Sequence, residues 1–207
     1  MQFNDRLQKP VGHFKVEVFK KSKLIDSFEE HNLIMNQARE HFMRVLSGMY
    51  AENKAINCIK LGTRGVQEVE KDGKIEQFDA IPKDADSGFN DSLTDLFCKT
   101  TPQTQGINWA GITFTPSGNV DVPRAQNIAD GGNNDSTVDI YLVTDSDSPT
   151  LTYVFNISAD AFNGATGYTK YNEAGLYADD VLIAMRTFRS KSKDSETSMR
   201  ITWSISF

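Results

Sequence analysis

Residues 84–95 come nearest to a recognisable chemical site in this chain. Asp84, Asp86, Asn90, Ser92 and Asp95 offer side-chain oxygens at spacings that a hard cation such as calcium can use. The match then breaks. Gly88 arrives one position early, Phe89 stands where such a loop needs glycine, and the twelfth residue is Asp95 rather than a bidentate glutamate. Two other polar runs have the same character: Asp130, Gly131, Gly132, Asn133, Asn134 and Asp135, and then Asp145, Ser146 and Asp147. Turn chemistry accounts for them, because Asp, Asn and Gly tolerate the backbone angles that turns require. No metal ligand is assigned, and a calorimetric calcium titration tests residues 84–95.

Covalent or hydrolytic chemistry needs a nucleophile with its base, or two carboxylates of which one has a raised pKa. The chain has no G-x-S-x-G and no H-E-x-x-H motif, and its three histidines are His13, His31 and His41. His13 opens a strand pattern, His31 precedes a helix pattern and His41 sits on that helix's polar side, so each reads as structural. Glu173 is the odd acid, because it lies at the start of an otherwise core-like strand. Its expected role is to accept hydrogen bonds from backbone or from an arginine, Arg186 or Arg189, at the strand end. A lone acid is no glycosidase signature; only carboxylates converging from distant positions would make one. Gly62, Thr63, Arg64 and Gly65 follow a strand but lack the spacing of a phosphate-binding loop. Cys58 and Cys98 have neither CxxC spacing nor a histidine pattern for zinc. Two free thiols are expected in a reducing cytoplasm, with a disulfide as the alternative. The chain is therefore expected not to be an enzyme, with no catalytic residue, no cofactor and no metal.

With so little chemistry to position, the elements themselves carry the information. The chain has 207 residues, 39% of them hydrophobic and 24% charged, which suits one domain with a real core. Thirteen Phe, six Tyr and two Trp favour β-structure. A net charge of −6 disfavours nucleic acid as a partner, because phosphate binding starts from a basic footprint. The densest cationic cluster, Lys20, Lys21 and Lys23, reads as a solvated hairpin tip. Residues 1–6 lack the apolar stretch of a signal peptide, and no apolar run approaches the roughly 20 residues that span a bilayer. No membrane association is expected.

Residues 1–12 read as an arm. Phe14, Val16 and Val18 alternate with Lys15 and Glu17, which predicts a hairpin over residues 13–19 and 24–29. A helix follows, with Ile34, Ala38, Phe42, Val45 and Leu46 on one face and Arg39, Glu40, His41 and Arg44 on the other. Asn32 or Asn36 is its expected N-cap, and Gly48 its C′ residue. Residues 56–63 form a short strand carrying Ile59 and Leu61. Residues 64–136 read as a loop-rich excursion interrupted by one strand over 109–115, and so long a loop implies packing on a partner. Alternation returns at 137–142 and 151–157 and again at 171–178, 181–188 and 199–207, with a tight turn at Asp179 and Asp180. In the final stretch Met199, Ile201, Trp203, Ile205 and Phe207 share one face, so the closing strand is expected to belong to the core with no tail after it. The predicted fold is mainly β: an antiparallel β-sandwich with one amphipathic helix near the N-terminus and a long loop-rich insertion, all in one domain.

Three segments carry a resemblance. They are a helix followed by residues 56–63 (INCIKLGT), then residues 172–177 (NEAGLY), then residues 181–188 (VLIAMRTF) with a closing strand bearing Trp203 and Phe207. In that order they resemble virion structural proteins of tailed bacteriophages: tail, baseplate, neck and tail-fibre-attachment components. The resemblance covers roughly half the chain and carries over no functional residue. It implies a β-rich, cofactor-free subunit made in the host cytoplasm and located in the virion. It also implies a symmetric homo-oligomer that contacts other virion structural proteins. A fibre anchor would continue into a shaft, so an adaptor or a ring subunit is the expectation. The alternative is a lectin-like carbohydrate-binding module, with Trp109, Tyr141 and Tyr168 as candidate sugar-stacking aromatics.

Overall fold

A computed structural model describes residues 10–49, 56, 58–79, 94–97, 125–126, 137–143, 148–163 and 166–207. The described elements are β1 (Val11–Lys20), β2 (Lys23–Ile34), α1 (Asn36–Leu46), β3 (Cys58–Gly62), β4 (Val66–Lys71), β5 (Lys74–Asp79), β6 (Thr94–Phe97), β7 (Ala125–Gln126), β8 (Thr137–Val143), β9 (Thr150–Ile157), β10 (Tyr168–Ala178), β11 (Val181–Asp194) and β12 (Thr197–Ser206). The fold is mainly β and antiparallel, as the alternation predicts. Ten strands form one curled sheet in the order β6-β3-β10-β11-β2-β1-β12-β9-β8-β7, and β4 with β5 forms a separate two-stranded sheet.

β2 joins the two halves of the large sheet. Along most of its length it pairs with β1, and its last two residues, Leu33 and Ile34, pair with Met185 and Ala184 of β11. The curl brings the inner faces together. Phe14 of β1 meets Trp203 of β12 edge-on at 4.9 Å between ring centroids and stacks on Phe188 of β11 at 5.4 Å. Phe14, Val16 and Val18 on β1 and Met199, Ile201, Trp203 and Ile205 on β12 are all buried. Phe207 departs from the expected pattern. It lies past the end of β12, 44% exposed, with its ring 5.7 Å from that of Phe42. A buried indole N–H needs a partner. Asn32 supplies one when its amide is turned so that the oxygen faces the indole: the oxygen then accepts from Trp203 Nε1 and the amide nitrogen donates to Gly12 O at 3.2 Å.

α1 begins later than its expected caps. Met35 is the N-cap, without a side-chain bond, and its own N–H donates to Ile183 O at 3.0 Å. Asn32 is therefore a strand residue and Asn36 is already helical. The C-terminal end follows expectation: Gly48 has φ +68°, Gly48 N donates to Val45 O and Met49 N to Arg44 O, the paired bonds of a Schellman motif. The helix buries Ala38 and His41, so His41 is not on the solvent side as its spacing suggests. Val45 and Leu46, expected in the core, are 44% and 82% exposed. The apolar stripe continues past the sheet, and its last turn overhangs.

The arm ends earlier than expected, because Val11 and Gly12 pair with Ser206 and Ile205 of β12. Within the stretch read as loop, β4 and β5 form a regular hairpin from Val66↔Asp79 to Lys71↔Lys74. Its turn residues Asp72 and Gly73 both have positive φ, the backbone of a type I′ turn. Residues 1–9, the 109–115 strand, the Asp130 to Asp135 run, Cys98 and Trp109 lie outside the described residues. So does the 84–95 run, except Thr94 and Asp95, which open β6.

Candidate functional site

β10 and β11 pair with two breaks in register, a small one between Leu176 and Tyr177 and a larger one between Tyr171 and Glu173. Tyr171 faces Lys191, but two residues on, Glu173 faces Thr187, so Phe188, Arg189 and Ser190 have no paired residue on β10. This is a bulge, a device that re-aims side chains and frees backbone groups. The freed groups are taken up by the neighbouring hairpin. Ser190 N donates to Gln77 Oε1 at 3.0 Å, and Gln77 Nε2 donates to Ser190 Oγ at 3.1 Å and to Glu68 Oε1 at 2.9 Å. Gln77 thereby seats the β4–β5 hairpin in the bulge.

The hairpin is also fixed at its base. Opposite the bulge, Asn172 Oδ1 accepts from Gly65 N at 2.7 Å, and its amide nitrogen donates to Ser190 Oγ at 3.3 Å. Glu173, wholly buried, accepts from Arg64 N at 3.0 Å. The contact is too close for larger residues: a Cβ on Gly65 would lie 2.4 Å from Asn172 O, and one on Gly62 2.3 Å from Glu173 Oε1. The backbone-accepting role expected of Glu173 is observed, but in the middle of β10 rather than at a strand end, because the strand begins at Tyr168. Arg186 binds Glu30, and its guanidinium lies over the Phe28 ring.

Between the hairpin and the sheet lies an open groove. Its main section has a volume of about 680 Å³ and is lined by Glu68, Ile75, Glu76, Gln77, Phe78, Lys170 and Arg189. A second section of about 480 Å³ adds Thr63, Val66, Tyr168, Thr169, Asn172 and Ser190. Glu68 and Lys170 line both sections, so the two lie side by side. Phe78 and Tyr168 are half exposed, and the Tyr168 hydroxyl lies 3.0 Å from Ser192 Oγ. Two carboxylates, one ammonium and one guanidinium line the main section, so its formal charge is zero.

The histidines are elsewhere. His13 and His31 are cross-strand neighbours on β1 and β2 with ring centroids 6.0 Å apart, His13 lies 3.4 Å from Glu29, and His31 Nδ1 is 3.3 Å from Gly12 O. His41 is buried beside Phe42. Among the described residues no group of three or more His, Cys, Asp or Glu could hold a metal ion, and no helix is long and apolar enough to cross a membrane.

Two buried lysines escaped sequence reasoning. Lys191 Nζ bonds Asp26 Oδ1 at 2.7 Å and Ser27 O at 3.2 Å, tying β11 to β2. Lys193 is wholly buried and donates all three of its protons: to Ala159 O at 2.9 Å, Asn163 Oδ1 at 2.7 Å and Asp194 O at 3.1 Å. Burial pushes its pKa down to about 8, and Asp194 and Asp160 offset this only in part. Tyr171, whose hydroxyl donates to Phe162 O at 2.9 Å, fastens the same 158–163 turn, and burial raises its pKa to about 12. The signal that could have found the hairpin is the Asp72-Gly73 pair. Nothing in the sequence marks Lys193, two of whose three partners, Ala159 and Asn163, come from a distant turn.

No protein-family model, no curated protein and no solved structure matches this chain.

Proposed function

We propose that the protein is a non-catalytic structural component of a phage tail, baseplate or neck assembly. It acts as an adaptor or ring subunit through contacts with itself and with other virion proteins. The observation that carries this reading is the overhanging end of α1. Met43, Leu46 and Met49 are 63%, 82% and 75% exposed, and Val45 beside them is 44% exposed. Clustered apolar side chains in water are the mark of a protein–protein contact surface. Met is enriched at such contacts, where its flexible thioether adapts to a partner. The three segments that resemble virion proteins support the same reading.

The test is solution mass by light scattering, wild type against Leu46→Glu with Met49→Glu. A closed oligomer that the double substitution reduces to monomers is the expected result. A monomer in both, over the whole accessible concentration range, overturns the oligomeric reading. A second reading, a carbohydrate-binding module, is favoured by Tyr168, which stands half exposed at a groove rich in hydrogen-bonding groups.

A further inference from the structure

We infer that the groove between the β4–β5 hairpin and the β11 bulge binds an uncharged, hydroxyl-rich ligand, a neutral oligosaccharide. The inference rests on the carbohydrate-binding reading and gives it a location and a ligand class.

The groove is built rather than incidental. A two-stranded hairpin has little stability of its own. This one is held by a buried carboxylate and a buried amide at its base, and by a glutamine seated in an interrupted ladder. Burying Glu173 and Asn172 carries a desolvation cost that a purely apolar seat would avoid. The outcome is a fixed wall facing the bulge, and bulges concentrate beside functional sites.

The lining specifies the ligand. Sugar hydroxyls both donate and accept hydrogen bonds. Glu68 and Glu76 accept, and Lys170 and Arg189 donate. These four cancel in charge, so an ionic ligand gains no net attraction, and the net charge of −6 on the chain repels polyanions. Phe78 lines the main section and Tyr168 the adjoining one, 50% and 47% exposed, and aromatic side chains supply apolar surface for the C–H faces of pyranose rings. A volume of about 680 Å³ lies within the range of small-ligand sites.

The test is affinity electrophoresis of the full chain through gels containing neutral polysaccharides (α-glucan, β-glucan, xylan, galactomannan) or anionic ones (polygalacturonate, hyaluronate). The proteins compared are the wild type, Tyr168→Ala and Phe78→Ala. Both side chains are half exposed, so both variants are expected to fold, which their thermal midpoints check. The expected result is retardation of the wild type by at least one neutral polymer, weakened about tenfold in each variant. Retardation that survives both substitutions overturns this site while keeping a carbohydrate-binding protein. Retardation by anionic polymers alone overturns the ligand class. No retardation on any gel overturns both the site and the reading on which it rests.

Discussion

Lys193 makes the stability of this protein depend on pH between about 8 and 10.5. In the unfolded chain its ammonium titrates near the ordinary 10.5; in the fold, burial lowers this to about 8. Below pH 8 both states carry the proton and the slope is zero. Between 8 and 10.5 the unfolded chain keeps a proton that the folded one has released, so stability rises with pH. At about 1.4 kcal/mol per pH unit, the whole interval is worth up to roughly 3 kcal/mol. Tyr171 and Tyr153 act oppositely. Burial raises both, so above pH 10 the unfolded chain loses protons that the folded one keeps, and stability falls. Comparison with Lys193→Met isolates the lysine, because the tyrosines are common to both proteins. Urea unfolding at pH 7.5, 8.5, 9.5 and 10.5 is the assay. The wild type should gain up to roughly 3 kcal/mol on the variant across the series. Parallel profiles would refute the reasoning, showing that Lys193 is solvated or is already neutral at pH 7.5.

Glu173→Ala removes the acceptor for Arg64 N–H and is expected to speed hydrogen exchange in β4 and β5 while β1 and β12 keep their protection. Equal acceleration everywhere would show that Glu173 supports the whole fold. Gly65→Ala should do the same more severely, since the added methyl meets the backbone carbonyl of Asn172. Hydrogen bonds from Glu196 N and Thr197 Oγ1 hold the Asp194 carboxyl below its ordinary 3.8. Its contribution is present above that value and is lost as pH falls through the lower folded one; a carboxyl-carbon NMR titration gives the midpoint. Phe188→Ala opens a hole beside Phe14 and Phe28 and should cost about 3–5 kcal/mol in urea unfolding.

The part of the large sheet built by β1, β12 and β9 was legible because those strands alternate. Met199 to Ile205 and Phe14 to Val18 show period two, and a one-sided buried face leaves that trace in any strand. The hairpin β4–β5 left no such trace. Val69 and Phe78 are half exposed and Ile75 more so, so no fully buried face imposed a pattern on its composition. The helix stripe misled in the other direction: Val45 and Leu46 follow core periodicity, but the sheet beneath them stops short. His41 is buried although its neighbours Glu40 and Arg44 form an exposed pair, because periodicity alone does not say how wide the covered arc is. The groove was out of reach of sequence alone, since it depends on a bulge that sets Ser190 against Gln77, 113 residues away. Glu173 stands out in the sequence as an acid in a core-like strand, and its hydrogen-bonding role is legible there; its effect, fixing a hairpin against a sheet, is not.

β1 is flanked by β2, which follows it within three residues, and by β12, made last of all the described strands. On the ribosome the first hairpin can close at once, but the other side of β1 waits through roughly 180 further residues. At ordinary synthesis rates that is on the order of ten to forty seconds. During that interval Phe14, Val16 and Val18 sit on an open-edged strand without their permanent neighbours, and the ladder that covers them is of high contact order. Newly made chains crowded on one message are then most at risk of pairing with each other at this edge, which makes β1 the natural place for a chaperone to hold.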